Sequence, residues 1–516
     1  MLDSPGSALR VLSPLVLSSL AAALVACGDA GSGSGTGLSA SGTTTNSSVG
    51  DSASSSGSSG NGSSGSASDS NTSQPTTSGA SGASDSASST GDASSGGGFK
   101  FDLGEQGTDI GGQQGGPGSC RPSETYGAAG GFPAFQDPAY APFLDKTVAI
   151  VTHTNYDPPP NNFSLTIVDI SGSPPPPNKN HYAPLYHHPS WTLDNLGRIF
   201  GLTLDSDGNI YVAPTTAYGA NPSPATIKRI DGLTGEISTF AVLPNNGPAM
   251  GNLNYDCVSQ TIYVSNFEDG RIYQLDMNGQ VVSTYHHATG DVTLGPPNNP
   301  GEPNGQFAPL GERPWAVQSH AGRLYYSVWV EHLMATNPAR ENEVWSVAYA
   351  DEGGVPDPAT AKLEFSLPVV NGSSSTPVSD ISFAQTGWML VAQRTMLNDN
   401  VTSAHQSTTF EYDFQNGSWV SQGTTYVVGE LLPYSAAGGV DHDFDPNGYV
   451  WMTGDALDFY TPEVVYGLQG TPYGGGGIET STIIDLDHQV VDQDKGVYGD
   501  VELPIPGDAM PVPPPS

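Results

Sequence analysis

A repeat of short apolar strands, which begins near residue 198, limits the folds that this sequence can adopt. Between Arg198 and Pro244, four such strands follow one another, separated by an Asp-Gly-Asn turn, a loop with two prolines and an Asp-Gly-Leu-Thr-Gly turn. Asn and Asp tolerate left-handed backbone and Gly adopts it freely, so these are sites of chain reversal. The same order of strands recurs further along the chain, and this repeat predicts the fold.

The repeats align on the last apolar residue of the first strand in each unit. These anchor residues are Leu204, Tyr255, Val317, Phe383 and Phe444. They lie roughly 50 to 65 residues apart, and four-stranded units at such a period are typical of a β-propeller. The long apolar helical periodicity of an α/β barrel is missing from the sequence.

A sixth unit can be assembled from the two ends of the repeat region. Three strands between Thr147 and Tyr186 have no inner strand before them, whereas Gly499–Leu503 matches the inner-strand pattern of Ser379–Phe383. The C-terminal segment is therefore expected to be the innermost strand of the first blade, which removes an open sheet edge. The predicted fold is all-β: a six-bladed β-propeller over residues 141–505, with its first blade closed by the C-terminal strand.

The N-terminus carries a targeting signal. The apolar run Val11–Val25 is too short to span a membrane comfortably. An ordinary secretory signal with an incidental cysteine is one interpretation. The other is that Leu24-Val25-Ala26-Cys27 resembles the lipobox of bacterial lipoproteins, which implies removal of residues 1–26 and diacylation of Cys27. The next residue is Gly28 and not the Asp associated with inner-membrane retention, so the resemblance implies a lipid-anchored protein at the outer membrane or cell surface.

The segments around the predicted propeller have compositions that cannot build a core. Residues 27–98 are, apart from the cysteine, almost entirely Ser, Gly, Thr, Ala, Asn and Asp. Such a segment is a flexible coil with a root-mean-square reach of about 45 Å, so we expect a disordered tether. Residues 99–140 stay Gly-rich and are expected to form an irregular lead-in segment, and residues 506–516 a Pro-rich tail.

The charge balance excludes several partners. The formal charge is -37, from 15 Lys and Arg against 52 Asp and Glu. Nucleic-acid recognition requires a basic stripe, which this composition does not provide. An acidic surface is not attracted to anionic lipid either, so the lipid anchor is the only membrane contact expected. Such a surface keeps a secreted protein soluble, and we expect a monomer.

Two cysteines remain after the lipobox, Cys120 in a Gly- and Pro-rich segment and Cys257 in a turn. Outside the cytoplasm they could form one disulfide that pins the start of the globule to a blade, or they could stay unpaired. No spacing rule decides between these alternatives. No zinc-binding pattern is present in the sequence.

The strand and turn pattern also resembles a known group of propellers. Leu204-Asp-Ser-Asp-Gly-Asn-Ile-Tyr-Val212 and Phe444-Asp-Pro-Asn-Gly-Tyr-Val-Trp451 are similar to NHL-repeat and gluconolactonase-like six-bladed propellers, over about residues 145 to 503. That scaffold hosts lactonases, phosphotriesterases, sugar dehydrogenases and plain binding modules. The resemblance therefore implies the fold more strongly than the chemistry.

A column of residues three positions before each anchor should face the central channel. Its members are Gly201, Asn252, Pro314, Asp380, Asp441 and, from the closing strand, Asp500. Carboxylate and amide oxygens are ligands that a hard cation such as Ca²⁺ takes. The resemblance implies a metal held by Asn and Asp at comparable positions, where it would polarise the substrate. The Glu that those enzymes place in the first blade is not evident, and a water-filled channel with solvated carboxylates is the alternative.

Two functions follow from these observations. In the first, a surface-displayed lipoprotein binds a protein, glycan or small ligand through its propeller, without chemistry. In the second, the protein is a Ca²⁺-dependent lactonase or esterase-like hydrolase with Asn252, Asp380, Asp441 and Asp500 around the ion and His442 as a candidate general base. The sequence has no Gly-x-Ser-x-Gly elbow, phosphate-binding Gly loop or His-Glu-x-x-His motif. Whether the protein is an enzyme stays open at this point.

Overall fold

The computed structural model describes most of the chain beyond residue 130. The described ranges are 131–154, 162–172, 178–298, 303–330, 341–367, 374–384, 387–423, 426–430, 434–443, 448–460, 463–486 and 496–504. The predicted signal peptide, lipidated Cys27, tether and tail lie outside these residues, as do residues 99–130 of the predicted lead-in segment. Within them, no helix is long and apolar enough to cross a bilayer.

The described strands form a six-bladed β-propeller, as predicted. Blade 1 consists, from the axis outwards, of β28 (Val497–Glu502), β1 (Val148–Thr154), β2 (Leu165–Asp169) and β4 (Leu185–Tyr186). Blade 2 consists of β5 (Ile199–Leu204), β6 (Ile210–Pro214), β7 (Thr226–Ile230) and β8 (Ile237–Val242). Blade 3 consists of β9 (Met250–Asp256), β10 (Thr261–Asn266), β11 (Arg271–Asp276), β12 (Val281–His286) and β13 (Asp291–Leu294).

The other three blades are likewise given from the axis outwards. Blade 4 consists of β14 (Arg313–His320), β15 (Arg323–Trp329), β16 (Asn342–Ala348) and β17 (Lys362–Leu367). Blade 5 consists of β18 (Val378–Phe383), β19 (Met389–Gln393), β22 (Thr409–Gln415) and β23 (Ser418–Ser421), with a separate hairpin of β20 (Met396–Asn398) and β21 (Val401–Thr402). Blade 6 consists of β24 (Ala436–His442), β25 (Tyr449–Tyr460), β26 (Glu463–Pro472), β27 (Thr482–Asp485) and β3 (Asn178–His181).

Helical structure is sparse in the described residues. It comprises one short α-helix, α1 (Leu193–Leu196), and the 3₁₀ turns Ala141–Phe143, Pro358–Thr360 and Ile478–Thr480. Each lies in a connection between strands or before the first one. None of them contributes an axial residue.

Blades 3 and 6 differ from the four-stranded units that we expected. In blade 3, β13 adds a fifth strand on the outer edge. In blade 6, the fifth strand is β3, which pairs in parallel with β27 although its neighbours in sequence belong to blade 1. Each added strand satisfies backbone groups of an otherwise open edge, which is the physical reason for the departure.

The C-terminal strand closes the ring as predicted. β28 runs antiparallel to β1, with Glu502 opposite Ile150 and Tyr498 opposite His153. A side-chain contact adds to the ladder, because the Asp500 N–H donates to Thr152 Oγ1 at 2.8 Å. The first and last described strands of the propeller therefore share one sheet.

The inner strands approach one another so closely that side chains are excluded at several positions. A Cβ on Gly439 would lie 2.6 Å from the carbonyl oxygen of Gly499 in the next blade, well inside van der Waals contact. A Cβ on Gly201 would lie 2.9 Å from the Cα of Asn252. Small residues at the axis therefore let backbone pack against backbone.

The folded region begins before residue 141, the predicted start of the propeller. Ala134 N–H donates to the Gly232 carbonyl at 2.8 Å and Gln136 N–H to that of Leu233 at 2.7 Å, which fixes this segment along blade 2. Its aromatic side chains join the apolar cluster between blades 1 and 2, which contains Phe132, Phe135, Tyr140, Phe143, Tyr186 and Trp191. These aromatics make the segment part of the core.

Cys257 is disulfide-bonded. Its partner lies outside the described residues, as Cys120 does. The pairing of Cys120 with Cys257 stays a prediction.

Candidate functional site on the propeller axis

The structure brings the predicted polar column together at the axis. Asn252, Asp380, Asp441 and Asp500 are all buried on inner strands. The Asn252 Nδ2 group donates to Asp380 Oδ1 at 3.2 Å, so blades 3 and 5 touch across the ring. Gly201 and Pro314 occupy the remaining column positions on blades 2 and 4 and provide no side-chain ligand atom.

Each axial aspartate joins its own inner strand to a neighbouring one. Asp380 Oδ2 accepts the Val440 N–H at 2.8 Å, and Asp441 Oδ2 accepts the Leu503 N–H at 2.8 Å. Asp500 Oδ2 accepts the Leu202 N–H at 3.2 Å. Blades 5 and 6, 6 and 1, and 1 and 2 are thus linked through carboxylates.

The other oxygen of each carboxylate also accepts a backbone N–H. In all three cases the donor is the residue that follows the aspartate: Ile381 at 2.8 Å, His442 at 2.8 Å and Val501 at 2.9 Å. All six oxygens of the three aspartates therefore accept a main-chain hydrogen bond. The carboxylates serve as connectors of the ring.

Glu502 is an axial residue that the sequence analysis missed. It lies two positions after Asp500 on β28, so the two side chains share one face of the strand. It interacts electrostatically with Asp441 and Asp380. The first blade therefore does carry a glutamate at the axis, supplied by the C-terminus. Side chains alternate along Gly499-Asp-Val-Glu-Leu503, which could have indicated that Glu502 faces the axis together with Asp500. The predicted column contained only one residue from each inner strand.

Burial and mutual repulsion shift the titration of this cluster. Burial raises the pKa of Asp380 to about 7 and Asp441 repels its charge, while hydrogen bonds from Val440 and from Asp500 oppose the rise. Burial also raises the pKa of Asp500 well above its usual value, with repulsion from Asp380 and Glu502. The pKa of Glu502 is raised by burial and by Asp441 and Asp380. Desolvated carboxyls of this kind favour either a proton or a cation.

His442 lies beside Asp441 but does not form a serine relay. Its Nδ1 atom is 3.4 Å from Asp441 Oδ1 and 3.5 Å from Ser382 Oγ. The Ser382 hydroxyl donates its proton to Asp441 Oδ1 at 2.7 Å, so the histidine does not receive it. His442 as a general base stays a prediction.

The fit of this site to a metal ion can be judged from its donors. No group of three or more His, Cys, Asp or Glu side chains among the described residues has the geometry to hold an ion. Each carboxylate oxygen has two lone pairs, and one on each of the six aspartate oxygens is already directed at an N–H. A Ca²⁺ ion would have to use the second lone pairs after the side chains move closer. The metal role of Asn252, Asp380, Asp441 and Asp500 stays a prediction.

A cluster of apolar and aromatic side chains adjoins the axial column, since Phe200 and Trp315 are sequence neighbours of Gly201 and Pro314; we call this cluster the aromatic end. It comprises Phe200, Ala217, Tyr218, Phe267, Trp315, Trp329 and Met396. Two arginines lie against it. Arg313 stacks over Phe307 at 4.5 Å and Trp329 at 4.7 Å, and Arg394 forms a buried ion pair of 2.7 Å with Asp455. The propeller therefore carries both an acidic cluster and an aromatic cluster with paired cations.

Comparisons with known proteins give matches at the level of structure. No family model matches the sequence, and no curated protein matches it. Similar solved structures include a periplasmic gluconolactonase from Pseudomonas aeruginosa, 12% identical, with a TM-score of 0.39 and coverage of 69% of this chain and 99% of that one. Another is a gluconolactonase from Xanthomonas campestris, 10% identical, TM-score 0.34, covering 65% of this chain and 95% of that chain. A nidogen/laminin complex gives 11% identity, a TM-score of 0.36 and coverage of 69% and 98%. Structural similarity at these TM-scores and sequence identities does not support a conclusion about activity.

Proposed function

We propose that this chain is an extracytoplasmic binding protein: a lipid-anchored propeller that presents a ligand-binding face and catalyses no reaction. The observation that carries this proposal is the use of the axial carboxylates. All six oxygens of Asp380, Asp441 and Asp500 accept backbone N–H groups of inner strands. Residues that would supply metal chemistry are thus employed in holding the blades together.

The shape of blade 6 supports a binding role. β25 and β26 are 12 and 10 residues long, whereas the next longest described strand, β14, has 8. Their extra length forms a hairpin in which Phe459 pairs with Val464 and remains 43% exposed. The nearby hairpin of blade 5 exposes Leu397 and Val401. Hairpins that extend beyond the sheets of a rigid scaffold are typical of recognition surfaces.

The anchor can be tested on the full chain. We expect a Cys27→Ser variant to lose incorporation of labelled palmitate and to move from the membrane fraction to the soluble extracytoplasmic fraction. A Cys257→Ser variant is the matched control, since that cysteine lies in the propeller and should leave the fractionation unchanged. Palmitate incorporation that survives Cys27→Ser would contradict the lipid-anchor proposal.

The absence of chemistry is tested by metal analysis and turnover. We expect purified mature protein to contain no stoichiometric divalent ion, to melt at the same temperature with and without EDTA, and to leave lactone and ester substrates unhydrolysed with or without Ca²⁺. Ca²⁺-dependent turnover of any of these substrates would overturn the proposed function.

A second candidate function, a Ca²⁺-dependent lactonase or esterase-like hydrolase, is favoured by one observation. Glu502 adds a fourth carboxyl to the axis, near Asp441 and Asp380, and burial together with repulsion among these groups raises the pKa values of Asp380, Asp500 and Glu502. A divalent cation would supply positive charge that compensates these carboxylates, and it would polarise a substrate carbonyl. For this candidate, the Glu502→Gln variant should abolish both the bound ion and the turnover.

A further inference from the structure

Three buried nitrogen donors in or beside the aromatic end have no hydrogen-bond acceptor among the residues that the structure describes. They are the indole Nε1 groups of Trp315 and Trp329 and the Nε group of Arg394. Trp315 and Arg394 are 0% exposed and Trp329 is 1% exposed, so bulk water does not reach them in this conformation. A buried donor without an acceptor destabilises the fold, so three of them in one region require an explanation.

The three donors belong to one packed region. The rings of Trp315 and Trp329 are 5.7 Å apart, and Phe200 lies 5.6 Å from Trp315. A Cβ placed on Gly438 would lie 3.3 Å from the Phe200 ring and 3.1 Å from Arg394 Cβ. Tyr218 connects the arginine with this cluster, since its ring lies 5.6 Å from the Arg394 guanidinium carbon and 6.4 Å from the Phe200 ring.

The acceptors of this region are already used. Asp455 Oδ2 pairs with Arg394 Nη2, and Asp455 Oδ1 accepts the Tyr498 N–H at 3.3 Å. The Ala437 carbonyl accepts Arg394 Nη1 at 2.9 Å, and the Tyr498 carbonyl accepts the Tyr218 hydroxyl at 2.7 Å. The region thus has a surplus of donors, and what complements it is a group that accepts hydrogen bonds and donates none.

We propose that the aromatic end is a binding site for a small carboxylate with an apolar body. This inference rests on the proposed binding function and names the ligand class. The carboxylate oxygens accept from the indole N–H groups and from Arg394, and guanidinium and carboxylate are a strong hydrogen-bonding pair. The apolar body packs against Phe200 and the tryptophan rings. An alcohol fits less well, because its own proton would then need an acceptor.

The site is covered by the segment between residues 303 and 312. The partly buried side chains of Phe307 and Leu310 pack on the aromatic end. Arg313 fixes this segment: its Nε and Nη2 groups donate to the Ala308 carbonyl at 3.0 and 2.8 Å, and its Nη1 group to Asp399 at 2.9 Å. Entry of a ligand requires this segment to move, so Arg313→Gln should speed both association and dissociation.

The experiment is a titration of mature protein with benzoate, followed by tryptophan fluorescence and by calorimetry, with benzyl alcohol as the neutral probe of similar shape. We expect saturable binding of benzoate and at least tenfold weaker binding of benzyl alcohol. Trp315→Phe and Trp329→Phe, which keep a ring and remove the donor, should each weaken benzoate by about fivefold to tenfold. Arg394→Gln should weaken it further.

Trp419→Phe is the matched control. Its Nε1 group is also buried and without an acceptor, but it lies in the apolar cluster between blades 4 and 5, away from the aromatic end. Benzoate binding should be unchanged in this variant. The inference would be overturned if benzoate binding were not saturable, or if Trp419→Phe and Trp329→Phe lost benzoate affinity equally. Water would then be the acceptor for the buried N–H groups. The proposed function is judged separately, since it fails on Ca²⁺-dependent turnover.

Discussion

The Leu503 N–H donates to Asp441 Oδ2 at 2.8 Å, and this hydrogen bond joins the closing strand of blade 1 to the inner strand of blade 6. A second link lies in the same interface, where the Thr453 hydroxyl donates to the Gly499 carbonyl at 2.6 Å. The closing strand is therefore held on two sides: by the β1 ladder in its own blade and by side chains of the last blade.

Removing the Asp441 carboxylate should weaken this closure. We expect Asp441→Ala to lower the free energy of unfolding by about 2–3 kcal/mol, because it leaves buried N–H groups of Leu503 and His442 without acceptors. The free energy of unfolding should be measured with urea at pH 5. Neighbouring carboxyls are protonated at this pH, so removing Asp441 relieves little charge repulsion that could offset the lost hydrogen bonds. The exposed turn residue Asp351 provides the control: Asp351→Ala should change stability by less than about 0.5 kcal/mol. An equal effect of both variants would contradict the assigned role.

The carboxyl cluster predicts a stability that falls as the pH rises. The pKa of Asp380 is about 7 in the folded protein against 3.8 for the unperturbed group, so the folded state binds more protons than the unfolded state between these values. The stability that protonation of Asp380 contributes is fully present below the pKa of the unfolded state and is lost as the pH rises through about 7. The melting temperature should therefore drop on the order of 2–4 °C between pH 4.5 and pH 7.5.

Asp500→Asn is the control for this pH effect. An amide takes the place of the protonated carboxyl that hydrogen-bonds to Asp380, so the titrating pair is reduced to one group. The melting profile of the variant should be flatter over the same pH range in scanning calorimetry. A variant profile as steep as that of the unchanged protein would assign the pH dependence to other groups.

Close packing at the axis predicts a large cost for a single methyl group. Gly438 has a φ of +103°, and a Cβ there would lie 2.4 Å from Ser379 Oγ. Gly423 has a similar φ of +88°, and no atom of the described residues lies within 4 Å of the same position. Both alanine variants carry backbone strain, but Gly438→Ala should lose about 2 kcal/mol more than Gly423→Ala. Equal melting temperatures of the two variants would contradict this view of the axis.

Truncation tests the closing strand directly. A chain that lacks residues 496–516 loses β28 and exposes the inner edge of β1, so we expect it to aggregate or to bind a hydrophobic dye. A chain that lacks residues 505–516 keeps β28 and should melt within about 1–2 °C of the full-length protein. Size-exclusion chromatography and thermal melting distinguish these outcomes.

The repeat predicted the blades and the axial column because both follow from short-range pattern. Alternation along each inner strand places one side chain in two towards the axis, so Asp380, Asp441 and Asp500 could be found from their position relative to an apolar anchor. The exchange of β3 into blade 6 could not be found in this way, since Asn178–His181 is a polar segment without alternation. Its place is determined by an available edge in another blade.

The aromatic end was missed for a different reason. Arg394 and Asp455 are far apart in sequence and meet only through tertiary structure. Asp455 lies at a register shift in the β25–β26 pair, next to Ala456, whose φ of 52° is unusual for a residue with a side chain. Neither the irregular pairing nor this backbone conformation has a signature in the local sequence.

The location of the closing strand has a consequence for how the protein is made. Because β28 is the last described strand, blade 1 keeps an unpaired inner edge until the chain has been synthesised past residue 502. A product of premature termination lacks that strand and presents the open edge permanently. The open edge of such a product is a template for intermolecular strand pairing, which the closed ring does not offer.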